Sequence, residues 1–339
     1  MSSPEPHATS WRDRVPKVEL HVHLEGAIPH DALWRIVAKY GGSAEAPDIA
    51  ALRKLFAYRD FRHFLDIWTW KNGFLREYED FTFFSEAVAR TMAAQNIRYA
   101  EVFFSPSDFA SHGLAPQGMA QAIRAGLDKV PEIRVLLVAD LVRGPDLGRM
   151  ARTLAEVAEV RSCGIVGITI GGDERAFPPE PFAGLYQEAR RLGFRTSAHA
   201  GEAAGAGSVW GAVRTLQVDR IGHGTRARED DALLDHLARR AITLEMCPVS
   251  NLRTGVVQSP GDLPIRQYLE RGIPVTINND DPAMFGTSLA EEYRLLETEL
   301  GFSRREIQDM ILQAARSSWL PHDEKRALEE SLISDPDWD

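Results

Sequence analysis

The sequence predicts a (β/α)8 barrel of the TIM type with a helical cap inserted after its first strand, and three observations carry that expectation. Eight short β-rich apolar runs alternate with longer segments of helical spacing. No run is followed by G-x-G-x-x-G, the turn that would favour an open, doubly wound dinucleotide-binding sheet. Between the first and second runs lie about seventy residues crowded with Phe, Trp and Tyr, and an insertion there would lie over the C-terminal face, where barrels carry their sites. The 339 residues are expected to form a single barrel domain over 1–339, with the cap at about 30–95 and C-terminal helices at about 288–335.

The first run is Lys17–Leu24. It contains His21-Val22-His23, and because strand side chains alternate faces, both imidazoles project to one side at the strand's C-terminal end. The cap follows, and Phe56–Phe84 places Phe64, Leu65, Trp68, Trp70 and Phe74 at helical intervals. Aromatics so spaced more often make helix core than ligand contacts. From this position they could also roof a site, with Trp68 as a substrate contact, and Lys71 and Arg76 could meet an anionic substituent if they faced it. Ile97–Ser105, Ile133–Val142 and Ile165–Gly172 are the next three runs. Phe194–Gly201 ends Ser197-Ala198-His199-Ala200-Gly201 with Glu202 beyond it, and Arg220–Gly224 ends Gly222-His223-Gly224. Thr243–Asn251 is the seventh run, and Pro274–Asp281 ends Asn279-Asp280-Asp281 before Pro282. Segments such as Pro181–Leu192 and Asp230–Arg240 supply the intervening helices, and the charged tail after Leu320 is expected only to pack outside.

Composition excludes several classes. With 44% hydrophobic residues the chain can bury a large core, so disorder and fibrous repeats are ruled out. The balance of 39 Lys+Arg against 49 Asp+Glu gives a net charge of −10, which argues against nucleic acid or anionic lipid as a partner. Cys163 and Cys247 are too few for a disulfide framework, lie in no C-x-x-C pair, and are expected as buried thiols. The polar segment Met1–Arg14, with Pro4 and Pro6, lacks a signal-peptide apolar stretch, and no run reaches membrane-span length. A cytoplasmic protein acting on a small molecule is the expectation; oligomeric state is not legible.

Four of the ten histidines fall at expected C-terminal strand ends, which a barrel brings to one mouth. Three imidazoles and a carboxylate make a nitrogen/oxygen set suited to Zn²⁺ or another divalent first-row metal, with a position open to water. A metal there lowers the pKa of water to ~7 and makes hydroxide available at neutral pH, so hydrolysis follows.

The chain resembles the adenosine deaminase family. The matching motifs, in order from Lys17 to about Glu292, are Val18-Glu19-Leu20-His21-Val22-His23-Leu24-Glu25-Gly26, Gly172-Asp173-Glu174, His199-Ala200-Gly201-Glu202, Arg220-Ile221-Gly222-His223-Gly224, Cys247-Pro248-Val249-Ser250-Asn251 and Asn279-Asp280-Asp281-Pro282. The resemblance implies a barrel with one zinc per chain, no other cofactor, and hydrolytic loss of ammonia from the 6-amino group of an adenine ring. It implies His21, His23, His199 and Asp280 as metal ligands. Glu202 matches the acid that protonates purine N1, His223 the residue that positions and helps deprotonate the water, Asp281 the contact to N7, and the Gly172 backbone N–H the contact to N3. Ser250 and Asn251 are expected as supports for these groups, and Asp173 and Glu174 as structural caps.

Two departures bear on substrate. The family usually carries Asp at Glu25, where it contacts the ribose, and Asp at Thr169. The longer Glu25 would reshape a pocket for the 5′-hydroxyl, while Gly-Asp-Glu argues against the relatives that take free adenine. An N9-substituted adenine is therefore expected, adenosine-type by default, with a bulkier 5′-modified nucleoside such as aminodeoxyfutalosine, or adenine, as alternatives. A metal-dependent amide or phosphoester hydrolase on the same barrel is more distant, because Ile165–Gly172 lacks the Lys that could bridge two metals. A non-catalytic purine or metal binder would have no need of Glu202 and His223.

Overall fold

The computed structural model describes residues 10–58 and 61–339; the stretch with Pro4 and Pro6 lies outside them. Eight parallel strands run in sequence order: β1 Lys17–His23, β2 Ile97–Phe104, β3 Arg134–Asp140, β4 Ile165–Thr169, β5 Arg195–Ala200, β6 Arg220–His223, β7 Thr243–Met246 and β8 Val275–Ile277. β8 returns to β1 just beyond its own end. The His23 N–H donates to the Asp280 carbonyl (2.8 Å) and the Asp280 N–H to the His21 carbonyl (2.9 Å), forming a Val22–Asp280 bridge. Residues at the chemical mouth therefore also complete the barrel.

Three runs stop earlier than their apolar character suggests. β7 ends at Met246 because Pro248, whose fixed φ and missing N–H suit a first helical position, opens the helix Pro248–Arg253. β8 has three residues and β4 ends at Thr169, so Asn278 to Asp281 and Ile170 to Gly172 are loops whose polar groups reach the mouth.

Between β1 and β2 lie the helices His30–Lys39, Ile49–Leu55, Phe61–Asn72 and Tyr78–Ala94. The aromatic segment splits between two jobs. Phe81 and Phe84 join the main core, so Tyr78–Ala94 packs as an outer barrel helix. Phe64 and Ile67 instead form a small separate cluster with Met284 and Phe285, which sets Phe61–Asn72 over the mouth. Apolar burial holds each piece, at about 25 cal/mol per Å².

Helices Leu289–Leu300, Arg304–Ser317 and His322–Ile333 follow β8. The tail does more than coat the surface: the Trp338 carbonyl accepts from Trp11 Nε1 (3.1 Å) and Gln308 Nε2 (2.7 Å), which ties both ends of the described chain together. Cys247 is buried, whereas Cys163 is only half-buried. Among the described residues no helix is long and apolar enough to cross a membrane.

Candidate active site and metal centre

Four strand ends deliver the expected donors to one place. His21 and His23 come from β1, His199 from β5, His223 from β6 and Asp280 from the loop after β8. Ligand atoms of His21, His199, His223 and Asp280 lie within 4.8 Å of one another. His23 joins from the other side, its Nε2 lying 3.1 Å from His199 Nε2 and 3.4 Å from Asp280 Oδ1. His21 Nε2 is also 3.4 Å from Asp280 Oδ1.

These separations suit a shared cation. Donors about 2.0–2.2 Å from a tetrahedral metal stand roughly 3.3 Å apart. His21 Nε2 is buried with no hydrogen-bond partner among the described residues, a lone pair that a cation would satisfy. Burial depresses the His23 ring to about 4 and the His223 ring to about 3, and holds His199 well below its usual value, which favours the neutral form that binds metal, whereas His21, against its burial, is raised to about 10 by the Asp280 and Glu245 carboxylates on either side of it. Two of the far-side nitrogens have partners, His21 Nδ1 at 2.9 Å from Glu245 Oε2 and His199 Nδ1 at 3.4 Å from Thr169 Oγ1, while His23 Nδ1 has none among the described residues. Such outer partners orient ligand rings. The Ser250 hydroxyl donates to Asp280 Oδ2 (2.6 Å), leaving Oδ1 toward the histidines. A buried three-histidine and aspartate group thus fits one metal ion.

Two of these residues hold unusual backbone. His223 and Asp280 have φ of 61° and 62°, left-handed values that cost non-glycine residues free energy and cluster at functional sites. For Asp280 the two hydrogen bonds to β1 impose the conformation.

Around the cluster opens a cavity lined by Glu202, Asp281, Gly172 and Trp68, together with His23, His199, His223 and Asp280. Glu202 Oε2 lies 3.6 Å from His223 Nε2. Burial, then the Asp280 and Glu174 carboxylates, push the Glu202 carboxyl up to about 8. Glu174 anchors that loop, accepting the N–H groups of Gly201 (2.6 Å), Glu202 (3.1 Å) and Ala204 (2.9 Å), while Asp173 caps Arg175 and Ala176. Asn251 Nδ2 lies 3.2 Å from His223 Nδ1 and orients that ring. Asp281 is buried with Oδ1 unpartnered among the described residues, and its carboxyl is pushed well above the usual range by burial and then by Asp280. Gly26 must be glycine, because a Cβ there would sit 1.7 Å from Asp281 Oδ1. Gly172 has φ 96°, a conformation that side chains rarely adopt.

Other expected contacts fall elsewhere. Glu25 does not line the cavity: it is fully buried behind it, accepts the Ser105 N–H (2.9 Å), and is raised to about 7 by burial. Lys71 is buried too, donating to the Glu25 carbonyl (2.9 Å) and Asn72 Oδ1 (2.6 Å) with its ammonium over the Trp68 ring. Arg76 donates to the Gly73 carbonyl (2.8 Å) and lies over Tyr40 and Phe74. Neither cation lines the cavity, so the condition under which they could meet an anionic substituent is not met; both bond within the cap and to β1's following loop. Thr169 sits behind His199, its Oγ1 3.4 Å from His199 Nδ1.

Three residues escaped the sequence reading. Glu245 supports His21 from within an apolar strand, where a lone charge was the available signal. Asp140 ends β3 and lines the cavity, so the strand-end rule that found the histidines applied to it as well. Asp108 also lines the cavity, from the short 3₁₀ turn Pro106–His112, and nothing in its spacing marked it.

A family model for adenosine deaminase matches residues 16–335. A protein of Chlorobium phaeobacteroides (strain BS1) named adenine deaminase is 34% identical over 316 residues, covering 92% of this chain and 94% of the relative. One of Streptomyces coelicolor named aminodeoxyfutalosine deaminase is 34% identical over 311 residues, covering 90% of this chain and 80% of the relative. The crystal structure of an amidohydrolase from Burkholderia ambifaria with bound zinc superposes with a TM-score of 0.89 at 26% identity, covering 99% of this chain and 94% of that one. The chain therefore belongs to the adenosine deaminase family and is a hydrolytic deaminase of the amidohydrolase superfamily.

Proposed function

We propose that this deaminase removes the 6-amino group of an N9-substituted adenine, adenosine-type by default, using one zinc held by His21, His23, His199 and Asp280. The observation that carries the reading is the pairing of Glu202 with His223 at 3.6 Å on the cavity wall beside the metal-binding group. When bound, the metal lowers the pKa of water and makes a nucleophile available at neutral pH. His223, kept neutral by burial and oriented by Asn251, would position a water beside C6 and take up its proton. Glu202 remains protonated at pH 7 and holds its proton against purine N1, which draws electrons from C6 as attack proceeds. Asp281, whose carboxyl burial pushes well above its usual range toward the proton-bearing form, meets N7, and the Gly172 N–H meets N3. The proton on His223 then passes to the amino group, which leaves C6 as ammonia, and the proton of the new C6 hydroxyl returns to Glu202 as the 6-oxo group forms.

The N9 preference rests on the cavity. It continues past the catalytic group to Trp68, Thr69, Ser105 and Asp108, which leaves room beyond a purine. The Gly172-Asp173-Glu174 stretch lends it little, since Glu174 and Asp173 bind the local backbone. A panel of adenosine, 2′-deoxyadenosine, adenine, N6-substituted adenines and aminodeoxyfutalosine, compared by kcat/KM for ammonia release, tests the reading. Adenosine-type compounds are expected to lead; preference for free adenine would overturn it.

A further inference from the structure

We infer that Asp108 determines specificity by accepting a hydrogen bond from a hydroxyl of the sugar on N9, and that this end of the cavity takes a neutral polyol rather than a phosphate. The inference rests on the purine orientation proposed above. With N1 at Glu202 after β5, N3 at Gly172 after β4 and N7 at Asp281 after β8, N9 points across the mouth toward the loops after β1, β2 and β3. Those loops place two carboxylates on the cavity, Asp108 after β2 and Asp140 after β3.

Each is held through one oxygen, but they stand at different ends of the cavity. Asp140 Oδ1 accepts the N–H groups of Gly171 (2.8 Å) and Val142 (2.9 Å), and its Oδ2 lies against Gly171 beside the His199 ring, at the purine end. Asp108 is held through one oxygen: Oδ2 accepts from Trp68 Nε1 (3.1 Å) and Asn72 Nδ2 (3.4 Å). Oδ1 has no partner among the described residues and stands ready as an acceptor. Glu25 cannot serve, because it lies behind the wall on the Ser105 N–H. Among the described residues no Lys or Arg lines this cavity, so an anionic group placed against Asp108 would meet like charge with no lining counter-ion among them.

The test compares adenosine, 9-methyladenine and adenosine 5′-monophosphate on the metal-loaded enzyme and on Asp108→Asn. In the wild type, kcat/KM for adenosine should exceed that for the monophosphate by roughly 10²-fold or more. In Asp108→Asn with wild-type metal content, the adenosine to 9-methyladenine ratio of kcat/KM should fall roughly tenfold or more, the range for losing a charge-assisted hydrogen bond, chiefly through KM. An unchanged ratio overturns the inference while leaving the deaminase reading intact. If the variant does not fold, the wild-type comparison decides, and equal use of the monophosphate overturns the inference. Turnover of none of the three compounds overturns the proposed function and this inference with it.

Discussion

At the floor of the barrel Arg220 lies between Glu101 (2.6 Å) and Glu245 (2.5 Å) with its guanidinium over the Trp319 ring. Lys17, at the start of β1, donates to the carbonyls of Asp13 (3.0 Å), Val15 (2.7 Å) and Gln95 (2.8 Å). At the mouth, by contrast, His21 Nε2, Asp281 Oδ1 and Asn279 Oδ1 are buried without hydrogen-bond partners among the described residues, and His223 and Asp280 hold left-handed backbone. Both ends bury charge, but the floor's charged groups are ion-paired with one another, although Trp319 Nε1 is buried there without a partner among the described residues, whereas at the mouth Asp281 faces the cavity and His21 the metal-binding group. Buried polar groups are normally satisfied, so the unsatisfied ones that face a cavity or a ligand cluster are the ones that suit a bound partner. The ends are joined, since Glu245 contacts both Arg220 and His21.

Removing a mouth ligand should have the largest effect. Asp280→Ala takes away the only carboxylate of the group and its contact to Ser250. Metal content should fall toward zero and turnover by more than the roughly 10²–10⁴-fold attributable to proton transfer alone. Metal analysis beside kcat checks it, and a fully loaded variant would move that ligand role elsewhere.

Glu202→Gln should come next, with metal retained and kcat lower by roughly 10²-fold or more. Its pH profile sharpens the point. Because burial raises the Glu202 carboxyl to about 8, the proton-bearing form persists at neutral pH and is lost above that value. Wild-type activity should fall roughly tenfold per unit on the alkaline side, and the residual activity of Glu202→Gln should lack that limb. A variant with wild-type kcat would reduce Glu202 to a structural role.

Ser250→Ala should act more gently. It removes the hydroxyl that holds Asp280 Oδ2 at 2.6 Å, so metal affinity should drop roughly 10–100-fold with kcat of the loaded enzyme near wild type. Chelator competition reads the affinity directly, and an unchanged value would mean that the β1 bonds alone fix Asp280.

The mouth was more legible in the sequence than the floor, and the reason is physical. A parallel barrel gathers every C-terminal strand end, so His21, His23, His199, His223 and Asp280 could be grouped from strand order alone. The floor arises from side chains that meet across the barrel, such as Arg220, Glu101 and Trp319, and no local period links them. Asp108 was hidden for a related reason, since its role depends on Trp68 and Asn72 reaching it from the cap. The expected sugar contact of Glu25 depends on where its carboxylate turns, and in the fold it accepts the Ser105 N–H away from the cavity lining, which no local pattern announces.

The smallest effect on turnover is expected at the floor, from Glu101→Ala. The loss removes one partner of buried Arg220 and the acceptor for the Tyr99 hydroxyl (2.6 Å) and the Trp319 N–H (2.5 Å). Breaking a buried ion pair from one side costs about 3–5 kcal/mol, so thermal unfolding should shift down by several degrees. Metal content and kcat per folded molecule should stay at wild-type level, because Arg220 keeps Glu245 and Glu245 keeps His21. If kcat and metal content fall with stability, the chain from Arg220 through Glu245 to His21 transmits the floor's arrangement to the metal-binding group. The two ends would then form one charge network, and the contrast between a paired floor and an open mouth would fail as a division of labour.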